Sequence, residues 1–154
     1  MLFYIAADHR GFKLKESLKE YLKKGGYQVW DYGNEIYDEN DDFPIFVKKV
    51  AEKISMDPQG SRGIVICGSG AGADIVANKF PKVRSVVAIN AEQVASTRSD
   101  DDTNVLTFAS NYIEEEEAKR ILGVWMATPF SEEGKYKRRL GEIEIIEWEK
   151  FKQE

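Results

Sequence analysis

One cysteine, one histidine and four prolines are all that this 154-residue chain holds of those types. A single Cys excludes an internal disulfide and suits a reducing compartment. One Cys with one His leaves no zinc-type ligand set, so no metal is expected. No apolar run approaches the roughly 20 residues of a membrane-spanning helix, and the opening residues lack the pattern of a secretory leader. A cytoplasmic protein with no membrane contact is therefore expected. Basic residues are also in deficit, 22 Lys and Arg against 27 Asp and Glu, a formal net charge of −5. That balance predicts no broad basic face and no nucleic-acid partner. No repeat, linker or low-complexity tract divides the chain, so one domain over residues 1–154 is expected.

What is present centres on residues 63–80, Gly-Ile-Val-Ile-Cys-Gly-Ser-Gly-Ala-Gly-Ala-Asp-Ile-Val-Ala-Asn-Lys-Phe. The run Ile64, Val65, Ile66, Cys67 has no polar alternation, which predicts a strand covered on both faces. Gly68, Gly70 and Gly72 follow where a chain leaving a strand must turn sharply and keep its backbone open to a ligand. Ala73, Ile75, Val76, Ala77 and Phe80 then mark a helix. Strand, glycine loop and helix start make an anion site of backbone N–H groups, with Cys67 at its mouth. The loop is not a P-loop, since no Gly-Lys-Ser/Thr follows, and it does not fit the G-x-G-x-x-G dinucleotide fingerprint. Two plainer readings stand beside the functional one. Glycines after a strand also serve close helix–sheet packing, and a lone Cys is often a small buried hydrophobe.

On either side, apolar runs alternate with helical spacing. Residues 2–7 read as a first strand, ending in Asp8-His9-Arg10-Gly11, and Leu14, Leu18, Tyr21 and Leu22 as a helix stopped by Gly25-Gly26. Residues 27–31 form a second strand, 32–42 an acidic loop ending at Phe43-Pro44, and Phe46, Val50, Ala51 and Ile54 a second helix. Later strands are expected at 84–89 and 104–108, with helices at 92–98 and 114–126. This alternation predicts a Rossmann-like α/β protein, a five-stranded parallel sheet between two helix layers. Lys135-Tyr136-Lys137-Arg138-Arg139 opens a C-terminal tail, residues 132–154, whose helix carries Leu140, Ile143, Trp148 and Phe151. That apolar face calls for a partner subunit or for folding back. Ligands of such sheets sit beyond the strands' carboxyl ends. Asp8-His9, Asp42-Phe43-Pro44, the loop after Cys67 and residues 98–104 are expected to converge there.

The motifs Ala7-Asp8-His9-Arg10-Gly11-Phe12-Lys13-Leu14-Lys15, Asp42-Phe43-Pro44, Ile66-Cys67-Gly68-Ser69-Gly70-Ala71-Gly72 with Ala77-Asn78-Lys79, and Asp102-Thr103-Asn104-Val105-Leu106 occur in this order. Together they resemble the ribose-5-phosphate isomerase B family, which includes galactose-6-phosphate isomerase subunits. The resemblance runs along nearly the whole chain. It implies an α/β/α sandwich of strand order 21354 and a homodimer or tetramer with shared active sites. It further implies a phosphorylated-sugar substrate and aldose–ketose isomerisation through an enediolate, without metal or cofactor.

On that resemblance Cys67 is the base that moves a proton between adjacent sugar carbons, as a thiolate favoured by the helix start and loop amides. Gly68, Gly70, Ala71 and Gly72 hold the enediolate oxygen, and Ser69 passes protons between sugar oxygens. Asp8 and His9 hold hydroxyls and help with phosphate. Phe43, Arg98, Asp101 and Asn104 join the substrate contacts, and Lys135 and Arg139 reach the phosphate from the partner subunit. His9 as a turn residue and Lys135 to Arg139 as a solvated helix start are the bland alternatives.

Three departures stand out. The family's Arg-His pair reads Lys135-Tyr136 here, a charge without Arg's bidentate fork. Its Gly-Arg near Ser110-Asn111 is absent. Its His-Asn, of which the His opens the furanose ring, reads Asp100-Asp101. Asp100 would then act as a base alone, with Ser69 or water supplying the proton. Ribose 5-phosphate to ribulose 5-phosphate is the leading expectation. A six-carbon aldose phosphate, or a catalytically weak sugar-phosphate-binding homologue, are the alternatives that Asp100 favours. A nucleotide-binding module lacks any visible adenine or ribose determinant.

Overall fold

Five strands run the same way: β1 (Leu2–Ala7), β2 (Gln28–Asp31), β3 (Ser61–Cys67), β4 (Ser85–Val87) and β5 (Val105–Ala109). The computed structural model orders them β2-β1-β3-β5-β4, as the resemblance implies. It describes residues 1–151, Phe151 by its backbone alone. Residues 152–154 of the tail, and the Phe151 side chain expected on its apolar face, lie outside the described residues. The crossovers are α1 (Phe12–Lys24), α2 (Phe43–Met56), α3 (Ala71–Ala77) and α4 (Ala91–Asp101), followed after β5 by α5 (Glu115–Ala127) and α6 (Gly134–Phe151). No described helix is long and apolar enough to cross a membrane.

β3 is central because both its faces are apolar. Ile64 and Ile66 pack with Leu14, Leu18 and Leu22 of α1 and with Ile121, Leu122 and Trp125 of α5. Val65 and Cys67 point the other way, onto Val47, Val50 and Ile54 of α2 and Ala73 and Ala77 of α3. Alternate residues of one strand thus serve two cores.

Two boundaries differ from the sequence reading by more than one residue. β4 stops at Val87 rather than residue 89, because Asn90 takes over as cap of α4, its side chain accepting from the Gln93 amide. α4 itself runs on to Asp101 instead of ending at Arg98. It ends at Asp102, which adopts a left-handed φ of 46° while Arg98 and Arg84 grip its carboxylate at 2.7 and 2.8 Å. Asp tolerates that conformation better than most residues.

α1 is bound to the sheet edge by charge as well as by leucines. Lys15 is fully buried, and its Nζ donates to Asp31 at 2.6 Å and to the Asn34 carbonyl at 2.8 Å. Lys19 reaches the same Asp31 oxygen at 2.8 Å and Glu16 at 2.7 Å. Burial works to raise the Glu16 carboxyl, but hydrogen bonds from Lys19 and Lys15 outweigh it and hold it below its ordinary value. With the folded value lowered, that share of stability is full above about pH 4.5 and is lost as pH falls through the folded value.

Removing one partner of a buried pair strands the other, at a typical cost of about 3 kcal/mol, whereas exposed pairs contribute about 0.5. Lys15→Ala is therefore expected to lose about 3 kcal/mol in urea unfolding, and Lys48→Ala, from the exposed Lys48–Glu52 pair, about 0.5 or less. Equal losses would show that the buried lysine is not an anchor.

Candidate active site

Cys67 closes β3 opposite Ala109 of β5 and is 4% exposed. Its carbonyl accepts both the Ser110 amide, at 3.0 Å, and the Ser110 hydroxyl, at 3.2 Å, while the Gly68 carbonyl accepts the Asn111 amide at 3.0 Å. The glycine loop is thereby tied to the end of β5. Gly70 carries a φ of +77°, the left-handed turn that lets α3 start, and a Cβ there would crowd Val87 and Ala109. The amides of residues 69–72 donate to no protein acceptor among the described residues. A run of such free donors beside a thiol is a place where an oxyanion is stabilised.

Two other connections meet this loop. In the turn after β1, one carboxylate oxygen of Asp8 accepts the amides of Arg10 and Gly11 at 3.0 and 3.1 Å. The Asp8 amide donates to the Ile66 carbonyl, which sets the turn against β3. Its second oxygen has no protein partner among the described residues; none of their buried side-chain polar atoms is unsatisfied, so that oxygen opens outward. A Cβ on Gly68 would stand 2.7 Å from Cδ of Arg10 and 3.0 Å from Nδ2 of Asn111, so both side chains lie on the loop. Before α2, Asp41 takes the amide and the Nδ1–H of His9 on one oxygen, each at 2.8 Å, and Nδ2 of Asn34 on the other. At the start of α2, the Phe43 ring fills the space over Gly72, where a Cβ would stand 2.5 Å from it.

Asp8, His9, Phe43, Cys67, Gly68, Ser69, Gly70, Ala71 and Gly72 thus share the carboxyl edge of the sheet. The expected convergence of residues 98–104 on the same edge does not occur within one chain. α4 carries them back across the sheet to the start of β5, and Ala109 lies five residue steps along the strand from Asn104, about 16 Å. Arg98 is buried with its guanidinium on Asp102, the Thr103 carbonyl and the Thr128 carbonyl. Asn104 is buried too, accepting from the Arg84 amide and donating to the Lys82 carbonyl. These two residues, read as substrate contacts, hold the fold in this chain. Asp100 and Asp101 lie on the last turn of α4. Partial burial, then the Asp100 charge, push the Asp101 carboxyl up, against the pull of Arg139. Arg139 and Lys135 both stand over the Tyr136 ring on α6, and the Arg139 charge acting on Asp101 puts this basic group beside the end of α4, at the amino edge.

Asp41, Asn34, Arg10 and Asn111 are the residues at the site that the sequence reading does not single out. The loop over residues 32–42 carries five carboxylates. Its only signal, acidity, does not say which of them meets His9.

A family model described as Ribose/Galactose Isomerase matches residues 3–143. A probable ribose-5-phosphate isomerase B of Mycoplasma genitalium is 35% identical over 147 residues, covering 96% of this chain and 95% of its own. The ribose-5-phosphate isomerase B of Escherichia coli is 36% identical over 140 residues, 91% of this chain and 92% of its own. Among solved structures, the Mycoplasma genitalium ribose-5-phosphate isomerase B with bound ribulose-5-phosphate superposes with a TM-score of 0.92 at 33% identity, covering 96% of both chains. The Clostridium thermocellum ribose-5-phosphate isomerase B gives 0.91 at 36% identity, over 97% of this chain and 99% of its own.

The Phe43–Gly72 contact is open to a double-mutant cycle. Gly72→Ala gains up to about 1 kcal/mol of helix propensity, but forcing the ring aside costs about 1–3. A net loss is expected in thermal or urea unfolding. In the Gly72→Ala background, Phe43→Leu should cost about 1 kcal/mol less than it does alone. Additive effects would mean that the ring does not set the spacing of α2 and α3.

Proposed function

Because the chain belongs to the ribose/galactose isomerase family, we propose that it interconverts an aldose phosphate and a ketose phosphate through an enediolate, with ribose 5-phosphate and ribulose 5-phosphate as its pair. The single observation that carries this reading is a buried thiol at the end of β3 whose next residues present unbonded amides. Isomerisation needs one base that takes a proton from C2 of the aldose and returns it to C1. The Cys67 thiolate is that base. Negative charge then grows on the sugar oxygen, and the amides of residues 68–72 receive it; one such donor is typically worth about 3 kcal/mol. Ser69, exposed on the loop, relays protons between O1 and O2. The open oxygen of Asp8 orients a sugar hydroxyl, and Phe43 walls the site. The names of the relatives and the ribulose-5-phosphate bound in the Mycoplasma genitalium structure support the choice of sugar.

The phosphate is held across a homodimer interface. Lys135 and Arg139 lie at the amino edge of their own chain, and Ile143, Ile145 and Ile146 of the same helix are exposed, an apolar face that association would cover. Asp100 and Asp101 travel with that group. A cytoplasmic setting fits the one reduced thiol. A six-carbon aldose phosphate is the second reading, favoured by two carboxylates at Asp100-Asp101.

Cys67→Ser is expected to cut turnover of ribose 5-phosphate by about a hundredfold or more with the fold unchanged by circular dichroism, since a hydroxyl is a far poorer base than a thiolate. Near-parental turnover would reduce Cys67 to packing. Arg139→Ala should weaken affinity for the phosphorylated sugar by about tenfold. Co-expressed with Cys67→Ser, it should yield hybrid dimers with one intact site, and activity should reappear. Hybrids as inactive as both parents would place each site within one subunit.

A further inference from the structure

We propose that a cavity at the amino edge of the sheet, beside Arg62 and Arg98, binds a small carboxylate carried on a planar apolar body, at a site separate from the one around Cys67. The cavity encloses about 250 Å3, a little under the range of drug-sized pockets. Phe3 and Trp125, each 1% exposed, lie at its inner end with Tyr27 and Met126 beside them. The Tyr27 ring stands edge-on to Phe3, with centroids 5.3 Å apart. No carboxylate is among the described residues that line it. Apolar walls around a few charged groups are the usual make-up of a small-molecule site, and aromatic walls favour a flat occupant.

Charge is out of balance at this place. Arg62, Arg84 and Arg98 act on one another around a single carboxylate, Asp102. Arg84 takes one of its oxygens at 2.8 Å and Arg98 the other at 2.7 Å. Arg62 forms no ion pair among the described residues. Its Nη1 donates to the carbonyls of Ser61, Pro58 and Gln59 at 2.8, 3.3 and 3.4 Å. Nε and Nη2, the flat edge that grips two carboxylate oxygens at once, have no protein acceptor there. Arg98 repeats the pattern on a side chain only 7% exposed. Its Nε and Nη1 are bonded to the Thr128 carbonyl, Asp102 and the Thr103 carbonyl, and Nη2 donates to none of the described residues. No buried side-chain polar atom among those residues lacks a partner, so Nη2 opens into the space that Arg98 lines.

Arg62 and Arg98 also border a second cavity toward α6, which holds Glu132, Glu144 and Lys137. Glu132 is paired with Lys137 at 3.2 Å, and neither glutamate forms an ion pair with either arginine. Burial, then the Arg98 charge, with Arg84 adding to both, hold the Arg62 guanidinium below its ordinary value against Asp102 and Asp57. A bound anion offsets that imbalance. Five residue steps along β3 separate Arg62 from Cys67, about 16 Å. Lys135 and Arg139, assigned above to the phosphate, line neither cavity.

Sodium benzoate is the probe, titrated calorimetrically and in thermal unfolding at matched ionic strength. The parent protein should bind one benzoate per chain with a Kd of about 1 mM or below, and its Tm should rise until the site is full. Benzamide, of the same shape without the charge, and acetate, which lacks the ring, should each bind about tenfold more weakly or worse. Arg62→Gln should weaken benzoate about tenfold, and Arg62→Lys, which keeps the charge but loses the flat edge, about threefold. Arg139→Ala should leave the affinity unchanged. No saturation by about 10 mM, benzamide equal to benzoate, or parental affinity in folded Arg62→Gln would overturn the proposal. So would loss of binding in Arg139→Ala, which would move the anion to the phosphate group of α6, and so would phenyl phosphate binding more tightly than benzoate. Should Arg62→Gln prove unfolded by circular dichroism, Arg62→Lys and the benzamide comparison on the parent decide. None of these readouts depends on isomerisation, so the proposal stands or falls apart from that reading.

Discussion

Five parallel strands leave a single edge at which their carboxyl ends and the loops after them can gather, and each helix must carry the chain back to the other edge before the next strand begins. That directional constraint organises the molecule. It brings the turn after β1, the segment before α2 and the glycine loop after β3 to one place, though 60 or so residues separate them in the chain. It also removes the end of α4 and the start of α6 from that place. Within one chain, the acidic and basic groups on the amino edge do not reach that place.

Within this frame three aspartates act as clamps. Asp31 is held by Lys15 and Lys19 and fixes α1 to the outer strand β2. Asp102 is held by Arg84 and Arg98 and ends α4 at the entrance to β5. Asp41 is held by His9 and Asn34 and brings the long loop over residues 32–42 against the first turn. Each buried or half-buried carboxylate meets two donor side chains, at least one of them from another element. That arrangement offsets its desolvation and makes the contact specific. The apolar contacts of β3 supply most of the burial but little direction, and the clamps supply the direction.

The parallel sheet was legible because β3 is uniformly apolar and because glycines stand where the chain must turn, whereas its strand order was implied by the family resemblance alone. Cys67 and residues 68–72 were legible for the same reason, since a local pattern carried them. The end of α4 was not. Nothing in Arg98-Ser99-Asp100-Asp101-Asp102 marks which aspartate leaves the helix, and the choice follows from two arginines, one of them 18 residues away at Arg84. The partners that Arg98 and Asn104 take within the chain were not legible either. A polar residue near a motif reads as available for substrate, while the fold has already committed its donors and acceptors. The Asp41–His9 contact spans 32 residues of sequence, and only tertiary packing selects it from its acidic neighbours.

The coupling of Lys15 to Asp31 also bears on how such a chain diverges over time. Lys13, Lys23 and Lys24, on the exposed side of α1, are free to drift one substitution at a time. Lys15 and Asp31 are not, because losing Asp31 deprives the buried ammonium of its nearest carboxylate, and losing Lys15 leaves Asp31 to Lys19 alone. Any lineage that replaces this pair must pass through a weakened intermediate or change both positions together. Since the Asn34 carbonyl leans on the same ammonium group, that evolutionary barrier extends from the rim of the sheet to the loop that carries Asp41.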